Sequence, residues 1–367
     1  MPGYESTQWR GSVISIYREG KVEVDFNVPD GSSRPEKGPG KISSGFLNFS
    51  QKLNRDLTIS FINTVKPRLY LDGFGATGIR ALRAEKETGV RSVVSERSFV
   101  SFQKIIENAK SNESQIEIYN EPFESIVSKF HFDFIDVDPY GSVVPFVDIA
   151  INYVSNHGYI GFTATDLSVL SGSLKDKNLR RYGTEVLNNS LRHEMGIRNL
   201  LGFIARRAAT LDCGMEPMIS MWHGHYYRVI VRINKSVKDA ESSLLNLKHI
   251  NLHEIKDTVY PDRYIGPIWS GKMNTIFIEK EMVFPSTVYE KTSDFIRKLK
   301  NEDMELFFTD LSESMSRRKI NLPSTDSVVK ISEENGIKVA RTHFSPTGFK
   351  SDKPLELINT LIQQKKG

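Results

Sequence analysis

Cysteine is nearly missing: Cys213 is the only one in 367 residues. That excludes an internal disulfide and a zinc site built from clustered thiolates. The expected setting is the reducing cytoplasm. No apolar run approaches the ~18 residues of a membrane span, and the first ten residues carry no signal-peptide core, so no membrane partner is expected. A strong charge imbalance is missing as well. Lys and Arg number 49 against 45 Asp and Glu, a formal net charge of +4. This mild excess permits a nucleic-acid partner without demanding one. No internal repeat or low-complexity tract is visible. What is present is 39% hydrophobic and 10% aromatic residues, enough for a full core, in a chain long enough for two domains.

Residues 12–26 read as a β-hairpin, and 28–45, rich in Pro, Gly and basic residues, as a mobile basic loop. In that loop Arg34, Lys37 and Lys41 can touch phosphate or simply be solvated. A helix is expected over 46–64. From Pro67 the pattern alternates strand with helix. Strands are expected at 69–71, 92–95, 116–119, 132–137, 159–163, 218–222 and 226–233. Helices are expected at 79–87, 99–109, 124–129, 145–154 and 194–211. Such alternation gives βαβ units and a mostly parallel sheet. The last two strands are close enough to pair antiparallel at one edge. Seven strands ending in such a pair outline a class I methyltransferase sheet, α/β and Rossmann-like. Beyond residue 284 three short helices, at 286–298, 303–317 and 324–335, and a strand at 337–340 suggest a smaller α+β, winged-helix-like region. The expected domains are therefore 1–273, an N-terminal extension plus the main sheet, and 274–367.

The strand Phe132-Asp133-Phe134-Ile135-Asp136-Val137 runs into Asp138-Pro139-Tyr140-Gly141. In an open α/β sheet, ligands bind outside the carboxyl ends of the strands. A carboxylate, a rigid carbonyl and an aromatic face at that end suit a flat base with an amino group. Asp138 and the Pro139 carbonyl can accept its N–H groups, and Tyr140 can stack on its ring. Asp136, two residues earlier, reads as structural.

Asp72-Gly73-Phe74-Gly75-Ala76-Thr77-Gly78-Ile79-Arg80 follows another strand. Gly73, Gly75 and Gly78 fit the dinucleotide fingerprint, and Glu96 ends the next strand, where a ribose-binding acid stands in NAD sites. On these residues alone NAD stays open. Asp72 argues for S-adenosyl-L-methionine: it would repel a pyrophosphate but can accept hydrogen bonds from an amino group. Glu121 suits an adenine amino group, with Phe123 beside it for stacking. Arg55 and Arg80 can pair with a cofactor carboxylate or with acids of the site.

These motifs, with Asn54-Arg55-Asp56, Thr163-Ala164-Thr165-Asp166-Leu167, Ala205-Arg206-Arg207-Ala208, Gly266-Pro267-Ile268-Trp269 and Arg341-Thr342-His343-Phe344, span nearly the whole chain. Together they make it resemble the tRNA guanine-26 N2-dimethyltransferase family, archaeal type. The resemblance implies S-adenosyl-L-methionine as donor and a tRNA guanine as acceptor. It implies cofactor contacts at Arg55, Asp72, Arg80, Glu96, Glu121 and Pro122, and a catalytic acid at Asp138. Many relatives carry a four-cysteine zinc site after the last sheet strand; residues 236–265 hold no cysteine, so no metal is expected. Asn48-Phe49 stands where relatives often have Asn-Pro, which leaves Asn48, a candidate substrate contact, open in role.

The expected chemistry is methyl transfer to the exocyclic N2 of guanine 26, once or twice. Asp138 and the Pro139 carbonyl would orient the amine, and Asp138 or a water would take its proton. A paired base cannot reach such a pocket, so the target would be flipped out. Thr165 and Asp166, past the fifth strand, can read the guanine edge; Asp166 can equally cap a helix. His193 with Glu194 reads either as a second acid–base pair or as a helix start. The alternatives are the same chemistry on an exocyclic base amine elsewhere in RNA, an NAD oxidoreductase, and a tRNA-binding protein without activity. The basic residues after 274, Arg317, Arg318, Lys319, Lys330, Lys338, Arg341 and Lys353 among them, are expected to hold the tRNA.

Overall fold

The computed structural model describes residues 5–9, 12–26, 47–254, 263–304 and 306–364. The basic loop expected at 28–45 lies outside them. Strands β1 (Glu5–Trp9), β2 (Ser12–Glu19) and β3 (Val22–Phe26) form an antiparallel sheet. The β2–β3 turn runs through Gly20 at φ +62°, a conformation that costs glycine little. After one 3₁₀ turn comes α1 (Lys52–Val65), buried without a break from Asn54 to Ile62.

The main sheet is built from β4 (Leu69–Asp72), β5 (Arg91–Ser95), β6 (Glu117–Tyr119), β7 (Phe132–Val137), β8 (Val154–Ala164), β9 (Gly214–His223) and β10 (Tyr226–Asn234). Its order is β6-β5-β4-β7-β8-β10-β9. Helices α2 (Ile79–Thr88), α3 (Phe99–Ser111), α4 (Phe123–Val127) and α5 (Val147–Tyr153) connect the first five strands, whose pairings are all parallel. Strand β7 is apolar at Phe132, Phe134, Ile135 and Val137, each fully buried, as a strand covered on both faces must be. The two-residue turn Gly224-His225 joins β9 to β10, so the expected edge hairpin is present. Strand order reverses between β4 and β7, where such a sheet opens a crevice at the strands' carboxyl ends.

Then follow α6 (Leu167–Leu170), α7 (Lys175–Tyr182) and α8 (Arg192–Ala209), and after the sheet α9 (Val237–Leu244) and the antiparallel pair β11 (Leu247–Asn251) and β12 (Tyr264–Trp269). Short α10 (Ile276–Glu279) and α11 (Glu290–Leu299) lead to the C-terminal region: β13 (Thr309–Asp310), α12 (Leu311–Arg317), α13 (Thr325–Glu334), β14 (Val339–Arg341), β15 (Gly348–Ser351) and α14 (Pro354–Gln364). Two helices run into an antiparallel hairpin there, as a winged-helix-like region requires. Their core is Leu311, Met315, Val328, Ile337, Phe349, Leu357, Ile358 and Leu361. The helix expected at 303–317 starts only at Leu311, because Asp310 caps it by accepting from Glu313 N at 3.2 Å.

The chain divides into two compact units. One comprises residues 1–163, 231–234 and 276–297; the other comprises 164–230, 235–275 and 298–367. This division interleaves segments where a single boundary at 273/274 was expected. No helix of the described residues is long and apolar enough to cross a membrane.

Candidate active site

The glycine turn after β4 is shaped by packing. A Cβ on Gly73 would lie 2.6 Å from the Phe123 ring and 2.9 Å from the Asp136 carbonyl oxygen. One on Gly75 would lie 2.5 Å from Val94 Cγ1. Gly78 has φ +78° and begins α2. Gly73 N donates to Asp136 O and Gly75 N to Ser95 O, both at 3.0 Å, which lashes the turn to β7 and β5. Glu96 completes it: Oε2 accepts from Ala76 N at 2.9 Å and Oε1 from Ser98 N at 2.8 Å.

Four charged groups meet under this turn. Arg80, almost wholly buried, reaches Asp136 Oδ1 with Nη1 at 3.2 Å and Asp138 Oδ2 with Nη2. Its Nε is buried with no hydrogen-bond acceptor among the described residues. Asp136, fully buried, also accepts from Thr58 Oγ1 at 3.3 Å and Tyr70 OH at 3.4 Å, which supports its structural reading. Asp72 is buried at the end of β4. Among the described residues it accepts one long hydrogen bond, from Phe74 N at 3.4 Å. Burial pushes its pKa up to about 6; Arg80 pulls the other way, and Asp136 and Asp138 add to the rise. Three acids around one guanidinium leave an excess of negative charge facing the crevice.

Asp138 follows β7 directly, its side chain 17% exposed. Pro139 is buried and Tyr140 is 77% exposed, so an aromatic face stands in solvent two residues beyond the acid. Phe74 stacks on Phe123 at 5.7 Å, and Phe146 meets both edge-on, at 5.0 and 5.9 Å. Phe123 opens α4 just after the exposed Pro122. Glu121, however, is ion-paired with Lys129 at 2.6 Å.

Arg55 is built into a different network. Its Nε and Nη2 reach Glu19 at 2.8 and 2.5 Å, and its Nη1 donates to Asn48 O at 2.8 Å. Glu19 also takes Arg83 Nη1 at 2.6 Å, and Arg83 continues to Asp56 at 2.7 Å and Glu87 at 2.7 Å. The Asn54-Arg55-Asp56 motif thus ties the N-terminal hairpin to α1 and α2. Asn48 caps the 3₁₀ turn, its Oδ1 accepting from Ser50 N at 3.0 Å and Ser50 Oγ at 2.6 Å. Neither residue shows a group aimed at the crevice acids.

Thr165 and Asp166 follow β8 and belong to the second unit. Asp166 accepts from Tyr182 OH at 3.0 Å and Arg181 Nη1 at 3.3 Å, and its side chain does not cap α6. His193 and Glu194 lie in the first turn of α8 but turn to separate partners. His193 stacks on Trp222 at 3.7 Å. Glu194, fully buried, takes Arg198 Nε at 2.9 Å, Lys350 Nζ at 2.6 Å, and the backbone N–H groups of Phe307 and Phe308 at 3.1 Å each. They form no acid–base pair. Among the described residues no group of His, Cys, Asp or Glu is arranged to hold a metal ion. The residues that sequence reading missed are Glu19 and Arg83, whose partnership spans 64 positions.

A family model described as N2,N2-dimethylguanosine tRNA methyltransferase matches residues 32–363. A tRNA (guanine(26)-N(2))-dimethyltransferase of Thermoplasma acidophilum is 40% identical over 347 residues, 95% of this chain and 97% of its own. A protein of the same name from Pyrococcus furiosus is 32% identical, covering 92% of this chain and 98% of its own. A solved structure of Trm1 from Pyrococcus horikoshii with S-adenosyl-L-methionine matches with a TM-score of 0.80 at 26% identity, over 94% of this chain and 99% of that one.

Proposed function

The chain belongs to the N2,N2-dimethylguanosine tRNA methyltransferase family, and we propose that the crevice at Asp138 carries that chemistry here. The enzyme transfers one or two methyl groups from S-adenosyl-L-methionine to the exocyclic N2 of guanine 26 in tRNA. It works in the cytoplasm. The observation that carries the site assignment is Asp138 itself. This partly exposed carboxylate stands at the sheet's switch point, held by buried Arg80 and followed by solvent-facing Tyr140.

The residues of the first unit fit the cofactor. Buried Asp72 has acceptor capacity to spare for a cationic amino group. The turn can pass this close to Phe123, Asp136 and Val94 only because it carries no Cβ, and among the described residues Arg80 Nε lacks an acceptor. Glu96 holds the turn's Ala76 N–H and keeps further lone pairs for ribose hydroxyls. Pro122, Phe123 and Glu121 flank the third strand, where the adenine would lie. Arg55 acts at one remove, by fixing the hairpin. When bound, S-adenosyl-L-methionine supplies a methyl group activated by its sulfonium.

The chain's own residues do the rest. The guanine amine is a weak nucleophile because its lone pair is delocalised into the ring. Asp138 and the Pro139 carbonyl accept its two hydrogens and aim the lone pair, so much of the catalysis is positioning. Arg80 keeps the Asp138 carboxylate in one orientation, and the departing proton passes to that carboxylate or to water. Tyr140 stacks on the flipped base, with Asn48 as a candidate contact to it. Residues from 274 onward hold the tRNA body, through exposed Arg317, Lys319, Lys330, Lys338 and Arg341. The test is incubation with tRNA and S-adenosyl-L-methionine followed by mass mapping of the nucleosides. N2-methylated guanosine at position 26 is expected; a methyl group elsewhere, or none, overturns the reading.

A further inference from the structure

Several of the motifs have no part in the chemistry just described, and within the second unit they converge on α7. Asp166 binds Tyr182 OH at the helix's last residue and Arg181 before it. Arg206 donates through Nη2 to the Tyr182 carbonyl and to Thr184 Oγ1, the latter at 3.2 Å. Its Nη1 is fixed on Pro267 O at 3.0 Å. Gly266 pairs with Glu185 in both directions, at 2.7 and 3.0 Å. From the buried side Asn178 donates to Thr184 O at 2.6 Å and accepts from Asn199 at 2.7 Å. Thr-Asp, Arg-Arg and Gly-Pro motifs far apart in sequence thus hold one eight-residue helix.

That helix presents cations and apolar side chains together. Only Asn178 and Tyr182 are buried; Lys175, Leu179, Arg180 and Arg181 are exposed. Four of its eight residues are Lys or Arg against one acid, Asp176. Two leucines stand out beside the charges, Leu174 at 46% and Leu179 at 54% exposure. Cations set beside apolar side chains suit RNA, with phosphates to pair and unstacked bases or riboses to cover.

We propose that α7 is a tRNA-binding helix, with Lys175 and Arg180 on phosphates and Leu174 and Leu179 packed against the nucleotides between them. This rests on the tRNA methyltransferase reading above. The test is the double variant Lys175→Glu/Arg180→Glu, with Leu179→Ala beside it. The double variant should raise the tRNA Kd on the order of tenfold, and its plot of log affinity against log salt should be shallower by about 1.4 to 1.8, the loss of two phosphate contacts. Leu179→Ala should weaken tRNA binding with the salt slope unchanged. Both should keep wild-type affinity for S-adenosyl-L-methionine and the wild-type thermal unfolding curve, the latter showing that they fold. Wild-type tRNA affinity and salt slope in the double variant overturn the proposal. Failure of the wild-type protein to methylate guanine 26 would instead remove the function it rests on, so the two failures are distinguishable.

Discussion

Replacing Glu19 by Gln tests whether the buried network under the hairpin stabilises the fold. Glu19 is 2% exposed and receives Arg55, Arg83 and, at 3.1 Å, Tyr17 OH. Burial by itself raises a carboxyl pKa, but here Arg55 and then Arg83 overcome it and bring the value from 4.5 down to about 2. A shift of that size corresponds to roughly 3 kcal/mol at neutral pH, at 1.36 kcal/mol per unit. The folded pKa is the lower one, so this stability is complete above about pH 5. It is lost as the pH falls from the unfolded value toward about 2. Glu19→Gln leaves two buried guanidiniums short of a counter-charge, and removing one partner of such a pair typically costs about 3–5 kcal/mol. Guanidinium denaturation at pH 7 and pH 3 is the assay. The variant should unfold at lower denaturant at pH 7, and its further loss on acidification should be smaller than that of the wild type. Equal stability at pH 7, within about 0.5 kcal/mol, would show that desolvation cancels the pairing and would refute the reasoning.

Asp138→Asn should keep cofactor and tRNA affinity while turnover falls by about 10²–10⁴-fold; a near-normal single-turnover rate would remove Asp138 from the mechanism. With Asp72 pushed up to about 6, affinity for S-adenosyl-L-methionine should fall as the pH drops through that value, because the protonated acid no longer attracts a cationic amino group. Titration calorimetry of Asp72→Asn should show lower affinity with that pH step gone. Joint neutralisation of Arg317, Arg318 and Lys319 should weaken tRNA binding and flatten its salt dependence, read by filter binding. Charge changes are preferable to truncation there, because truncation would strip Lys350 from buried Glu194.

The central sheet was legible because its strands declare themselves locally. The run 132–137 is apolar enough to be buried on both faces, and β7 occupies those six residues. The acid at its end and the glycine spacing after β4 are local signals of the same kind. Pairing with acids of the site was one of the two partnerships open to Arg80 in the sequence; the partner of Arg55 was not legible. Nothing near Arg55 in sequence points to Glu19, 36 positions away. Helix α7 also escaped, since Lys-Asp-Lys-Asn-Leu-Arg-Arg-Tyr has no apolar stripe and hides mainly an asparagine and a tyrosine. The expected C-terminal region rests on short helices followed by a strand, a local pattern that cannot register a lysine reaching 156 positions back into the chain.

That lysine bears on how the protein is made. When α8 emerges from the ribosome, Glu194 has only Arg198 within its own helix to balance it. The backbone groups of Phe307 and Phe308 are 113 and 114 residues behind, and Lys350 is 156 behind. At about 5–20 residues per second, the wait for Lys350 lasts roughly 8–30 s. The ion pairs of Glu19, Arg55, Asp56, Arg83 and Glu87, by contrast, all close within the first 87 residues, and only the hydroxyl of Thr287 joins Glu87 later. Translation therefore sets an order: the hairpin and first helices can settle while synthesis continues, and the half of the protein around α8 completes only as the last strands leave the exit tunnel. Until then a glutamate destined for full burial stays in water, and the growing chain depends on whatever keeps nascent polypeptides soluble.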